Sequence, residues 1–186
     1  SDGGGGGGGG GGTPTGSLVS TFGDLGLVLS NPTSSTFSVN DVVLANSGTE
    51  VFLVGTEGTG GSLKGRIEKR SLSTGALVTS FDTDGIIITS SNDTTEYNAA
   101  VIDATYIYIV GSDDFDATVG TIDKQWRVEK RRQDTGALET AFSGDGIYQK
   151  NWSLGTGQND QINDIVRNAT GPNRILVGEK FGEERL

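Results

Sequence analysis

Thr74-Gly-Ala-Leu-Val-Thr-Ser-Phe81-Asp-Thr-Asp-Gly85 reads as a corner between two β-strands. Thr-Gly and Asp-Gly are turn residues, glycine because it adopts positive φ and aspartate because its side chain bonds to its own turn. Leu77 and Phe81 would anchor the corner to a core. The pattern recurs as Thr15-Gly-Ser-Leu-Val-Ser-Thr-Phe22-Gly-Asp-Leu-Gly26 and as Thr135-Gly-Ala-Leu-Glu-Thr-Ala-Phe142-Ser-Gly-Asp-Gly146, at spacings of 59 and 61 residues. A second marker, Arg66-Ile-Glu-Lys-Arg70, returns 61 residues later as Arg127-Val-Glu-Lys-Arg131, led in by Trp126. A third is an apolar run closed by glycine: Val51-Phe-Leu-Val-Gly55, Ile107-Tyr-Ile-Val-Gly111 and Ile175-Leu-Val-Gly178. Three markers in one order define an internal repeat of about sixty residues.

Each unit reads as four short strands. In the middle copy they are predicted at 99–102, 106–110, 126–131 and 147–150. Alternation places Trp126, Val128 and Lys130 on one face and Arg127, Glu129 and Arg131 on the other. Val51 to Val54 is apolar at every position, the pattern of a strand covered on both faces. The fold class expected is all-β: a partial β-propeller of about three four-stranded antiparallel blades, preceded by a disordered poly-Gly tether. Residues 1–14 are assigned to a Gly-rich linker, with Gly3 to Gly12 as an unbroken run, and residues 15–186 to the repeat domain. The last unit stops at Phe181-Gly-Glu-Glu-Arg-Leu186, where its basic third strand is due, so the array is expected to be incomplete or to self-associate through open sheet edges.

Thr-Gly-Ala-Leu, the spaced Phe and the closing Asp-Gly resemble the delta-sixty repeats of bacterial surface proteins, which read Gly-x-Leu-Asp-x-x-Phe-Gly-x-x-Gly. The resemblance covers most of residues 15 to 178 and implies a propeller. The chain departs from the pattern at Val19, Val78 and Glu139, where the family has Asp after Leu. Trp126 gives a more distant likeness to quinoprotein-type propellers. The opening Ser1-Asp2 running into glycine is similar to the sequence following the lipidated cysteine of bacterial surface lipoproteins. That likeness implies a lipid-attachment Cys directly upstream of Ser1 and an exported protein at the cell surface, in the periplasm or outside the cell; a low-complexity linker is the alternative.

Of the 186 residues, 33% are hydrophobic, enough for a sizeable core. The net charge of −10, from 24 acidic and 14 basic residues, argues against nucleic acid as a partner. Cys, His and Met are all absent. Thiolate nucleophiles, imidazole bases and thiolate zinc sites are thereby excluded. No run of eighteen apolar residues occurs, so no transmembrane segment is expected.

Candidate site residues are few. Asp82 and Asp84 before Gly85, and Asp113, Asp114 and Asp116 in a loop, place carboxylates at alternate positions, as calcium loops do. No distal bidentate Glu follows Asp84 at the required spacing, and hairpin turns select the same residues. Calcium is the one cofactor candidate, and no catalytic residue is assigned. The basic stretches Lys64 to Arg70 and Lys124 to Arg132 contain Glu68 and Glu129, and pairing with neighbouring acidic strands is expected. Trp126, Trp152 and the Tyr residues suit either core packing or a sugar-stacking platform. The leading expectation is a non-enzymatic exported module that binds or scaffolds protein or glycan at the surface of a bacterium; the alternative is a piece of an enzyme-associated propeller of glycosidase or quinoprotein type.

Overall fold

A computed structural model describes residues 18–30, 36–59, 63–90, 94–114, 123–152, 159–168 and 174–179. The poly-Gly run, Asp116 and the C-terminal Phe181–Leu186 lie outside the described residues. Within them every regular element is a strand. β1 (Phe37–Leu44), β2 (Glu50–Glu57), β3 (Lys64–Ser71) and β4 (Ile86–Ile88) form one antiparallel sheet in chain order. A second sheet repeats that order with β5 (Thr95–Ile102), β6 (Tyr106–Asp114), β7 (Lys124–Arg132) and β8 (Ile147–Lys150). A third pairs β9 (Ile162–Asn168) with β10 (Arg174–Glu179). The strands expected in the middle unit are all present, three of them longer than alternation alone suggested. None of the described elements is a helix long and apolar enough to cross a membrane.

The Val-Gly marker has a steric origin. The register of β1 on β2 breaks between Val39 and Asp41, and that of β5 on β6 between Tyr97 and Ala99, so Asn40 and Asn98 each sit in a bulge. Opposite the bulges stand Gly55 and Gly111, where a Cβ would lie 1.9 Å from the carbonyl oxygens of Ser38 and Glu96. Any larger residue would displace the inner strand from its neighbour.

The corners link one sheet to the next. Gly23 N–H donates to the Thr74 carbonyl (2.9 Å) and Asp82 N–H to the Thr135 carbonyl (3.1 Å). At Gly136, with φ of 77°, a Cβ would stand 2.5 Å from Ile87 Cδ1 and 3.1 Å from the Phe81 ring. The Gly of each Thr-Gly pair is therefore needed twice, for its backbone and for the preceding corner packed over it. Phe22 and Val28 occupy the corresponding places over Gly75.

Two apolar layers hold the sheets together. Phe52, Val54, Ile67, Phe81 and Ile87 of the first sheet pack on Tyr97, Ala100, Ile107 and Ile109 of the second. Ala99, Tyr108, Val110 and Val128 on the second sheet's other face pack on Ile162 and Ile165 of the third. Ile107 to Val110 is thus buried at every position, as expected of a strand covered on both faces. Val51 and Leu53 depart from that expectation and remain half-buried, because no described sheet covers their face.

Candidate functional site

Strand alternation puts Arg66, Glu68 and Arg70 on one face of β3, and Arg127, Glu129 and Arg131 on one face of β7. These residues form two nearly identical buried chains of charge. Glu129 is fully buried, and its Oε1 accepts from Arg127 Nε (2.7 Å) and from the Tyr97 hydroxyl (2.6 Å). Its Oε2 accepts from Arg131 Nε (2.6 Å), while Arg131 Nη1 donates to the Gly136 carbonyl (2.9 Å). Arg127 Nη1 reaches back to Asp113 at 2.6 Å. In the first sheet Glu68 is likewise fully buried, bonded to Arg66 Nη2 at 2.7 Å and Arg70 Nε at 2.6 Å, with Ser30 Oγ as a further donor. Arg66 continues to Glu57 (2.5 Å), and Arg70 to the Gly75 carbonyl (2.8 Å). The chains therefore tie the basic marker to the corner marker, which explains why the two recur together.

The expected pairing with acidic neighbours is present, as Arg66 on Glu57, Arg127 on Asp113 and Lys124 on Glu96 show. What alternation alone did not reveal is that the i, i+2 partners within one strand pair with each other, below the solvent boundary. Burial would raise the Glu129 pKa, but the charges of Arg131 and Arg127 and the Tyr97 hydroxyl hold it below the ordinary glutamate range. Burial opposes ionisation of Glu68 as well, and the bonds from Ser30, Arg66 and Arg70 outweigh it. Burial and the adjacent Glu129 charge push the Tyr97 phenol well upward, so it stays a proton donor.

The acidic candidates separate by environment, and Asp113 and Asp114, expected in a loop, instead end strand β6, where Asp113 is paired on both sides in the sheet. Asp113 is buried, its Oδ2 shared by Arg127 and Gln149, and burial wins over those bonds and raises its pKa. Asp114 Oδ1 accepts from Asp123 N–H at 3.2 Å. Asp84 Oδ1 accepts from Ile86 N–H at 2.8 Å, and Asp82 takes a positive φ of 47° in the same corner. Asp116 lies outside the described residues, within which no cluster of three or more acidic residues is arranged to hold a metal. Trp126 packs among the apolar residues between the second and third sheets, edge-on to Trp152 with ring centroids 5.7 Å apart. Trp152 is exposed, and Lys150 Nζ lies 5.0 Å from its ring.

No family model, curated protein or solved structure matches the chain. Its own surface must therefore indicate where a partner could sit. An open polar groove runs across the hairpin turns that follow β1 and β5, lined by Asn46, Asp103, Thr105, Tyr106 and Arg167. A neighbouring groove shares Asn46 and Thr105 and extends to Lys69 and Arg132. Gln133 builds the floor between the turns: its Oε1 accepts from Asn46 N–H (3.0 Å) and its Nε2 donates to the Asp103 carbonyl (2.8 Å). Asp103 is pinned by N–H bonds from Thr105 (2.8 Å) and Tyr106 (2.7 Å) and by the Tyr108 hydroxyl (2.9 Å). Burial would raise its pKa, and those bonds, with the charge of Lys130, bring it below the usual range. The groove offers fixed amide, carboxylate, hydroxyl and guanidinium groups to a polar ligand. Lys69 and Arg132 belong to the basic stretches the sequence singles out, whereas Asn46, Asp103, Thr105 and Gln133 lie in or beside turns, where polar residues are the default.

Proposed function

We propose that the sheets are successive blades of a β-propeller of the delta-sixty kind, and that the chain is a non-enzymatic, exported surface module binding protein or glycan through the hairpin-turn groove. The observation that carries the binding role is where the chain spends its ionisable groups. Glu68, Glu129 and Asp113 are buried and engaged by arginines, out of a substrate's reach, and Asp103 in the groove is held in the ionised form by its own turn and the Tyr108 hydroxyl. The groove instead collects groups from β1–β2, β5–β6 and β9, so a ligand lying in it would contact all three sheets. Support for the propeller comes from the sequential pairing within each sheet and from β1, β5 and β9 lying side by side. Surface location rests on the resemblance to lipoprotein and surface repeats.

The test is an array of immobilised glycans and extracellular proteins probed with the purified chain and with Arg167→Glu. Saturable binding reduced at least tenfold by the substitution is expected. Turnover of aryl glycosides or other chromogenic substrates by the purified chain would overturn the non-enzymatic reading, and binding indifferent to Arg167 would overturn the groove.

A further inference from the structure

The two buried layers use one pattern of contacts, and among the described residues the two faces of that pattern are each left open once, on the first sheet and on the third. Pairing about the bulges sets the correspondence: Val39 opposes Gly55 as Tyr97 opposes Gly111, so Val39, Val42 and Leu44 of β1 stand where Tyr97, Ala100 and Ile102 stand in β5. In β5 those three pack against the first sheet. In β1 they face outward, 42%, 59% and 51% exposed.

The third sheet is complementary. Asn40 Nδ2 donates to the Tyr97 carbonyl at 2.7 Å, and Asn98 Nδ2 donates to the Ile162 carbonyl at 2.7 Å. One asparagine clip thus joins each sheet to the bulge carbonyl of the next. Ile162 therefore corresponds to Tyr97, and Asn163 to Asn40 and Asn98. By the same register Val166 and Leu176, which oppose each other, correspond to Val101 and Tyr108, the pair that covers the third sheet from the second. Val166 and Leu176 are 57% and 66% exposed, and Asn163 is exposed with its amide 3.4 Å from the carbonyl of Gln161 on its own strand.

We propose that the open face of the third sheet receives the open face of the first sheet of a second copy of this chain. Val166 and Leu176 then pack on Val39, Val42 and Leu44 of that copy, and Asn163 Nδ2 donates to its Val39 carbonyl. The contact is heterologous, so each chain keeps one free face of each kind and association continues head to tail until a ring closes. This proposal is independent of the ligand assigned to the groove. It differs from edge pairing, because the faces of the sheets meet and their rims do not.

The test is sedimentation velocity on the full chain with two blocking variants, Val42→Arg and Leu176→Arg. Both side chains are already in solvent, so circular dichroism and melting are expected to match the parent. The parent should associate in a concentration-dependent manner below about 1 mM, the weak end of specific association. Each variant alone should be monomeric. An equimolar mixture should stop at a dimer, because only one intact face of each kind remains to pair. Asn163→Ala should weaken parent association several-fold. A parent that stays monomeric to about 1 mM, or a blocked variant that self-associates like the parent, would overturn the proposal; the latter outcome would indicate edge pairing or face-to-like-face contact.

Discussion

Replacing Glu129 with Gln keeps the side chain's shape and removes the one charge that two guanidinium groups share. In the parent, Arg127 and Arg131 carry two positive charges and Glu129 and Asp113 two negative ones, so the buried cluster is neutral. Glu129→Gln leaves it one charge in excess. One of the two oxygens becomes an amide that presents hydrogens to a guanidinium. Breaking a buried pair by removing one partner costs about 3–5 kcal/mol. The arginine side chains, 9% and 12% exposed, recover a little solvation, which places the expected loss near the lower end, about 3 kcal/mol. For a domain stable by about 5–15 kcal/mol this is a large fraction. Urea denaturation should show it as a midpoint lowered by about 1.5 M, taking a slope of about 2 kcal/mol per M. The control is Arg132→Gln, which removes the exposed pair with Asp134 and should leave the midpoint in place. A Glu129→Gln midpoint within about 0.5 M of the parent, at unchanged slope, would refute the view that the charge chain is a buried structural element.

Acid should act through the same groups: Glu68 and Glu129 titrate below their unfolded value of about 4.3, so their contribution is present above that pH and is lost as pH falls through the folded values. Asp113 is shifted upward and works in the opposite sense, so urea midpoints measured from pH 6 to pH 3 should fall below about pH 4.3 with a slope blunted by that one group. Gly136→Ala should cost about 2–3 kcal/mol in thermal or urea unfolding, since it combines positive φ with a clash on Ile87 and Phe81. Gly144→Ala shares the positive φ but meets nothing within 4 Å and should cost about 1 kcal/mol. Calcium at about 10 mM should leave the melting temperature unchanged, because Asp113 is held by Arg127 and Asp84 by its own turn; a site with Kd near 0.1 mM would add about 2.7 kcal/mol and be plain in the melt.

Much of the fold was legible because strands and corners write themselves locally. Ile147 to Lys150 was read with the bounds the structure gives it, since glycine opens it and alternation needs only four residues. Thr-Gly-Ala-Leu and the Phe seven residues past Thr revealed the corners, whose spacing is a property of one chain segment. The bulge asparagines were not legible as such. Asn40, Asn98 and Asn163 recur just before apolar runs, yet the role of Asn40 and Asn98 depends on the carbonyl of a residue about sixty positions away. Burial was the other gap. Val51 and Ile107 sit in runs of the same pattern, and only the presence or absence of a covering sheet separates a half-buried residue from a fully buried one.

The charged strands show why a site can stay hidden when the elements do not. Alternation places Arg127, Glu129 and Arg131 on one face, and charge on a strand ordinarily implies solvent on that face. The inference fails here because the groups neutralise one another at i, i+2 spacing and because Tyr97 and Gly136 supply the remaining donor and acceptor from other segments. Substituting all three by apolar residues could cost little, whereas removing any one leaves a charge without its counterpart. A cluster with that property is retained as a whole, which gives a physical reason for the marker to recur intact in Arg66-Ile-Glu-Lys-Arg70 while the loops between the strands differ.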